Sequence, residues 1–501
     1  NNFSAAEKLY QQVLEINPIH FDSIFHLASL SAQMKNFKKA KELFERAIKI
    51  KPNYAIAYNN LGAVLKELGM FKESVSACEK AITIQPNNLG AYHNLALSLQ
   101  ELNEIKKAIN CYKILSKIQI NPGNTYQNLG KLSVMIGEKK EAINFYQLAI
   151  KHEPENLFYY YNLSDLDENI LDGNLKIKIN NIIKKNSGKN QNTAYAHFLL
   201  SKYESNLKNY QKEFDYLING HHYYFESKKK EYSNDIDYWL NQLPKNEELN
   251  NSINVIEKAK ISSEELMPIF IIGVPRCGST LIEKIIASGS HFITIGEEIG
   301  ILSAFVKEKI IKKKSIYFDI ENTRNELIKK YKQRNLLQEK SNYIFTDKTL
   351  DNFFYINLIK GTFPNAKVIN CVRDPLLSIM SIIKNNLPSV SWSHNIEHIF
   401  KYFDIYYRKI ANFNKTLPNY IYELDLEKLS NEPIEESKKI MKFCNLPWNI
   451  KCLEFYKRKD LISKTASNVT LRQKIYKQSS KKYLPYKNLL KKYGDKYSWF
   501  N

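Results

Sequence analysis

With 501 residues, 44% of them hydrophobic, the chain is long enough for two or more domains with sizeable cores. The formal charge of +21 invites a nucleic-acid or membrane reading, yet the lysines are dispersed and no nucleic-acid motif accompanies them, so a solvated basic surface is expected, with room for a basic pocket that takes a polyanion. No apolar run of about eighteen residues suggests a membrane span. Cys78, Cys111, Cys277, Cys371, Cys444 and Cys452 form no CxxC pair and no metal spacing, which points to reduced, cytoplasmic thiols and no metal centre. The first residue is Asn1, inside a repeat, so an upstream segment is expected and its targeting signals are not readable here.

In chain order, the first feature is periodic. Pro18, Pro52 and Pro86 stand 34 residues apart, and Pro154 falls on the same ladder. Tyr58, Leu61, Gly62 and Leu65 mark the packing face of one helix, Gly69 a turn, and Ser74, Cys78 and Ala81 the close-contact positions of a second helix. Equivalent sets are Tyr92, Leu95, Ala96 and Tyr126, Leu129, Gly130. Over residues 1–165 this resembles the tetratricopeptide repeat family, which implies an α-helical solenoid. Asn60, Asn94, Asn128 and Asn162 recur with the same period. An amide side chain donates and accepts at once. The resemblance to the asparagine ladder of the O-linked N-acetylglucosamine transferase repeats implies a groove for a peptide or protein. The alternative is that these asparagines bridge neighbouring helices.

Residues 166–266 read as a degenerate helical repeat, cap and linker. The stretch from Thr193 to Phe225 has the rhythm of one more repeat, closing with Gly220 near a helix end. His221 and His222 are adjacent and point different ways on a helix, so packing is expected of them. Asn241 to Ser263 is polar and reads as an exposed helix and linker.

From Ile269 to Ile272 the chain is an unbroken apolar run closed by Gly273 and Pro275, and after Thr280 the residues Leu281, Ile282, Ile285 and Ile286 recur at helical spacing. Strand, tight loop and helix start make an anion cradle of backbone N–H groups. Ser279 and Thr280 add hydroxyls and Arg276 a charged fork. The spacing matches a nucleoside-triphosphate P-loop except that Ser279 stands where that motif has lysine. Two further strands follow, Tyr343 to Phe345 and Ala366 to Val372, ending at Lys348 and Arg373, with helices from Phe353 to Lys360 and from Leu376 to Ile383. Such alternation predicts an α/β domain over residues 267–501 with a mostly parallel sheet and a ligand at the carboxyl ends of its strands.

The segments GVPRCGSTL, TDKTLDNFFYINLIKGTFPNAKVINCVRDPLLSIMSI and YELDL resemble sulfotransferases that use 3′-phosphoadenosine 5′-phosphosulfate (PAPS), in the branch that includes tyrosylprotein sulfotransferases and bacterial enzymes with amino-terminal tetratricopeptide repeats. The resemblance implies that Arg276, Cys277, Gly278, Ser279 and Thr280 hold the 5′-phosphosulfate, and that Arg373 and Ser381 hold the 3′-phosphate. Ser467, Arg472 and Lys474 would contribute from a carboxyl-terminal segment closing over the nucleotide. Counted from Arg276, the family's general base falls on Glu297, with Glu298 the neighbouring alternative, and Lys348 is similar to the lysine that neutralises the transferring sulfuryl group. The implied acceptor is a hydroxyl, of a peptide tyrosine or another molecule. Trp392, His394 and His398 fall in a variable stretch that either lines an acceptor site or packs a helical insert. Rival readings are a nucleotide-binding P-loop enzyme and a repeat scaffold with an inert α/β domain.

Overall fold

The computed structural model describes residues 3–118, 122–185, 188, 190–246, 249, 266–289, 293–311, 319–337, 344–458, 460–461, 472–475 and 480–500. It divides into two compact units, Asn1–Glu153 with Gln333–Asn335, and Pro154–Lys332 with Leu336–Asn501.

The first unit is a run of antiparallel helix pairs: Phe21–Gln33 with Phe37–Ile50, Ala55–Glu67 with Phe71–Ile84, Leu89–Glu101 with Ile105–Ile118, and Gly123–Ile136 with Lys139–His152. Small residues let the partners approach. A β-carbon on Gly62 would meet Cys78 Sγ at 2.4 Å, and one on Gly130 would meet the Tyr146 ring at 2.6 Å. Ser74 Oγ donates to the Gly62 carbonyl at 2.7 Å and lies 2.8 Å from Ser98 Oγ, tying one pair to the next. The turns share one device: Lys35, Gly69, Asn103 and Gly137 all take the left-handed conformation, with φ of +59°, +74°, +64° and +85°. Only two of them are glycines, so the repeat tolerates the modest strain of a side chain there.

Of the asparagines, Asn94 donates from Nδ2 to Asn59 Oδ1 at 2.9 Å, and Asn59 in turn to Asn60 Oδ1 at 3.2 Å. Asn128 donates to the Asn124 carbonyl and Asn162 to the Phe158 carbonyl, each on its own helix.

The second unit is built on a four-stranded, wholly parallel sheet: β1 (Met267–Gly273), β2 (Ile344–Asp347), β3 (Lys367–Val372) and β4 (Ile421–Asp425), in the order β2-β1-β3-β4. The run of isoleucines and phenylalanine in β1 is buried on both faces, as a central strand under helices requires. Instead of one helix from Phe353, the chain makes a 3₁₀ segment, Leu350–Tyr355, and then a short helix, Ile356–Thr362.

Helices Gln191–Asn206 and Tyr210–Asp237 share the hydrophobic core of this sheet. Gly220 does not close a helix. It sits within the long one, where a β-carbon would lie 2.7 Å from the Phe198 ring, so its role is close packing. Leu243 and Leu249 are buried, so the start of the expected exposed linker is packed; most of its remainder lies outside the described residues. His221 is buried, with Nδ1 3.1 Å from His394 Nδ1 and Nε2 2.7 Å from the Ile383 carbonyl. All six cysteines are free and buried.

Candidate functional site

The carboxyl ends of β1, β2 and β3 open into a cavity of about 890 Å³. At the end of β1 the loop takes three positive φ values, Gly273 at +151°, Arg276 at +70° and Gly278 at +93°. Gly273 passes so near β3 that a β-carbon would meet the Cys371 carbonyl oxygen at 2.9 Å, and Gly278 would strike Leu426 at 2.7 Å. Helix Ser279–Ala287 starts directly after Gly278, so Ser279, Thr280 and the first turn face the cavity together with Pro275 and Arg276. Cys277 does not line it. Its thiol turns inward to Cys371, because the loop's inner side is the floor of the sheet.

At the end of β3, Asp374 caps helix Pro375–Lys384, accepting from the Leu377 amide at 3.0 Å, with Pro375 in the first turn, where its missing N–H costs nothing. That fixes two groups over the loop. Ser381 Oγ accepts from Arg276 Nε at 3.0 Å, and Arg373 Nη1 donates to the Arg276 carbonyl at 2.8 Å. Arg373 Nε also lies 3.9 Å from Glu427 Oε1.

The third group comes from β2. The segment around Glu297 runs alongside it as two isolated parallel bridges, Thr294 with Phe345 and Glu297 with Lys348. The Lys348 amide donates to the Gly296 carbonyl at 2.9 Å and the Glu298 amide to the Lys348 carbonyl at 3.0 Å. A β-carbon on Gly296 would fall 2.2 Å from the Thr346 carbonyl oxygen, so this approach admits only glycine. Lys348 is wholly buried, with Nζ 2.8 Å from Glu298 Oε1, 3.5 Å from Glu297 Oε1 and 3.4 Å from Thr280 Oγ1. Burial alone would discharge it, but the carboxylates of Glu298, Glu297 and Glu283 outweigh that penalty and hold the ammonium above the ordinary lysine range.

The count from Arg276 leads to Glu297, but that side chain is turned into the interior and does not line the cavity. Glu298, at φ +51° and 43% exposed, does line it. Glu297 is held in the bridge to Lys348, and the left-handed turn at Glu298 brings that side chain to the cavity, while both carboxylates stay within reach of Lys348 Nζ. Asp347, at the end of β2, is also turned away. It accepts from Tyr331 at 2.6 Å and Asn352 at 3.0 Å, and burial pushes its carboxyl up to about 6.

From the carboxyl-terminal stretch, Lys474 lines the cavity, whereas Arg472 donates to the Arg458 carbonyl at 2.9 Å and does not; Ser467 lies outside the described residues. Trp392 lines the cavity. His394 is stacked between Tyr224 and Tyr232, and neither it nor His398 lines the site. Sequence reasoning missed Trp239, Asp351, Tyr402, Lys482 and Tyr483, all in the wall. The one available signal was Asp351, four residues past the strand-end Asp347.

No helix among the described residues is long and apolar enough to cross a membrane. The sequence profile of the sulfotransferase family matches residues 268–449, and three tetratricopeptide repeat profiles match residues 1–65, 55–88 and 77–110. An uncharacterized protein of Aquifex aeolicus (strain VF5) is 30% identical over 320 residues, 60% of this chain; the chain spans 41% of that relative's length. Among solved structures, MamA is similar at 23% identity over 31% of this chain and 90% of its own, with a TM-score of 0.30. YrrB, described as a TPR protein with an unusual peptide-binding site, is similar at 18% identity over 35% of this chain and 91% of its own, also at 0.30. The chain is thus a tetratricopeptide repeat protein that carries a sulfotransferase-family domain over residues 268–449.

Proposed function

We propose that the second unit transfers a sulfuryl group from PAPS to an acceptor hydroxyl, releasing adenosine 3′,5′-bisphosphate, and that the repeats bind a peptide or protein partner that carries the acceptor. The observation that carries the reading is the convergence on one cavity of Arg276, Ser381, Lys348 and Glu298 from three adjacent strand ends.

The residues present fit a ligand with two anionic ends. The start of helix Ser279–Ala287, with Ser279, Thr280 and Arg276, suits the 5′-phosphosulfate. Arg373, Ser381 and Lys474 suit the 3′-phosphate. When bound, the donor supplies the sulfuryl group and a phosphate leaving group that takes the electron pair of the broken S–O bond.

In this reading Glu298 accepts the acceptor's hydroxyl proton as the oxygen–sulfur bond forms. Lys348 and Arg276 hold positive charge where negative charge develops, already paired and oriented and so needing little rearrangement. Glu297 keeps Lys348 protonated from behind and acts as a positioning residue. The asparagine series would offer amide contacts to an extended peptide, with Asn94 held by Asn59 and Asn128 able to exchange its own-helix bond for a ligand.

The test is transfer of label from ³⁵S-PAPS to a panel of phenolic, alcoholic and glycan hydroxyls, with binding of adenosine 3′,5′-bisphosphate and of ATP measured alongside. Ser279 in place of a P-loop lysine predicts that the bisphosphate binds far more tightly. Tight ATP binding with no bisphosphate binding would overturn the reading.

A further inference from the structure

One stretch of the cavity wall differs in chemistry from the rest. Trp239, Leu350, Val390, Trp392 and Tyr402 make it apolar and aromatic. Trp392 and Tyr402 are stacked with ring centroids 3.8 Å apart and 16° between planes, a rigid flat surface. Trp239 packs on Phe354, in the same 3₁₀ segment as Asp351. Into this wall comes a carboxylate, Asp351, three residues after Lys348.

Among the described residues no other side chain bonds or ion-pairs with Asp351; its carboxylate accepts from its own backbone amide. Of the cavity's cations, Arg276 and Arg373 are bonded at the loop, Lys348 contacts Glu297 and Glu298, and Lys474 and Lys482 come from the carboxyl-terminal stretch. Asp351 is close enough to Glu298 and Tyr402 for its charge to be felt by both. Burial, and after it the Glu298 charge, pushes its carboxyl up to about 7. A second carboxylate here is costly in an empty cavity and becomes favourable when a cation sits against it.

We propose that Asp351 selects acceptors that carry a protonated amine at the end of the ring opposite an aromatic hydroxyl, the ring lying on the Trp239, Trp392 and Tyr402 surface and the ammonium meeting Asp351. The amine is a handle and keeps its protons; the hydroxyl oxygen is the atom that forms the bond to sulfur. The same wall disfavours an acceptor with a carboxylate in place of that amine, because Asp351 and Glu298 would both repel it. The proposal rests on the sulfotransferase reading of the cavity and deepens it by naming the acceptor's charge.

Three probes of one shape separate the ideas: tyramine, p-cresol and 4-hydroxyphenylacetate. Their affinities for the full chain are measured with and without adenosine 3′,5′-bisphosphate, and their turnover with labelled PAPS. The expected order is tyramine, p-cresol, 4-hydroxyphenylacetate, with at least tenfold between the first two, and Asp351→Asn shrinks that ratio about tenfold. Equal affinity for tyramine and p-cresol, or preference for the acid, overturns the proposal even if Asp351→Asn fails to fold, since the parent chain alone decides it. An unchanged ratio in a folded Asp351→Asn overturns it too. Sulfation of p-cresol as fast as tyramine leaves the sulfotransferase reading standing and removes this one. Binding in the expected order with no turnover of any probe and no bisphosphate binding does the reverse.

Discussion

The Arg373 guanidinium donates from Nη1 to the main-chain carbonyl oxygen of Arg276 at 2.8 Å, so the end of β3 holds the loop after β1 in its unusual conformation. Arg276 has φ +70°, which a non-glycine residue adopts only when its surroundings enforce it. Arg373→Ala therefore removes a loop clamp and, on the proposed function, a phosphate ligand. The expected loss in adenosine 3′,5′-bisphosphate affinity is about tenfold to a hundredfold, given that a charged hydrogen bond contributes roughly 1.5–3 kcal/mol. Calorimetric titration checks it, and wild-type affinity in the variant would remove the two-ended nucleotide site.

Glu297 and Glu298 are neighbours to which the proposed function gives different roles, and paired substitutions separate them. Glu298→Gln should lower kcat by about 10²–10⁴ with bisphosphate binding retained, because on the proposed function it removes the proton acceptor, along with the 2.8 Å ion pair to Lys348. Glu297→Gln removes a buried charge 3.5 Å from the wholly buried Lys348, so its main effect should be on stability, roughly 3 kcal/mol by analogy with a broken buried pair. Thermal unfolding and single-turnover kinetics on both variants decide the matter. An active Glu298→Gln beside a stable, inactive Glu297→Gln would exchange the roles.

The loop was legible in the sequence because its determinants are contiguous: an apolar strand, Gly273, Gly278, and a helix that must begin at once. The repeats were legible because a period of 34 shows in prolines and small residues alike. The choice between Glu297 and Glu298 was not, since it depends on the left-handed turn that follows the Glu297 bridge to β2, and a count along the chain cannot resolve one residue. The aromatic wall was illegible for another reason. Trp239, Asp351, Trp392 and Tyr402 come from separate segments, and of these only Trp392 was a sequence candidate for an acceptor site, with packing of a helical insert as its alternative. Gly220 misled because glycine near an expected helix end suggests a cap, whereas here the ring of Phe198 demands the space.

That contact makes a prediction. Gly220→Ala would gain about 1 kcal/mol in helix propensity, yet it drives a β-carbon to 2.7 Å from Phe198 in a packed core, which costs about 1–3 kcal/mol. Net destabilisation near 1 kcal/mol is expected, relieved by Phe198→Leu in the same chain. Chemical denaturation of the two variants tests it; a stabilised Gly220→Ala would mean that the site has slack.

In the repeats, Asn94→Ala breaks the bond to Asn59 between successive helix pairs and should cost about 1 kcal/mol, whereas Asn128→Ala loses an exposed bond within its own helix and should cost less than about 0.5 kcal/mol. Thermal unfolding compares them directly, and equal losses would show that Asn94 is no special bridge.

The pH dependence of acceptor binding follows from Asp351. Its carboxyl titrates near 7, raised first by burial and then by Glu298, with Asp347 and Asp235 adding smaller charges of the same sign. Tyr402, Tyr238 and Tyr355 also feel it, but burial keeps those phenols neutral throughout the range. Below pH 7 the group is protonated and offers an ammonium nothing; above it the charge is present. Tyramine affinity should therefore rise about tenfold between pH 6 and pH 8, the change in ionised fraction for a group titrating at 7, while p-cresol affinity stays within about twofold. Tyramine remains protonated across this range, so the slope belongs to the protein. Parallel curves for the two phenols would assign it to a group that both feel, and Asp351→Asn should flatten the tyramine curve alone.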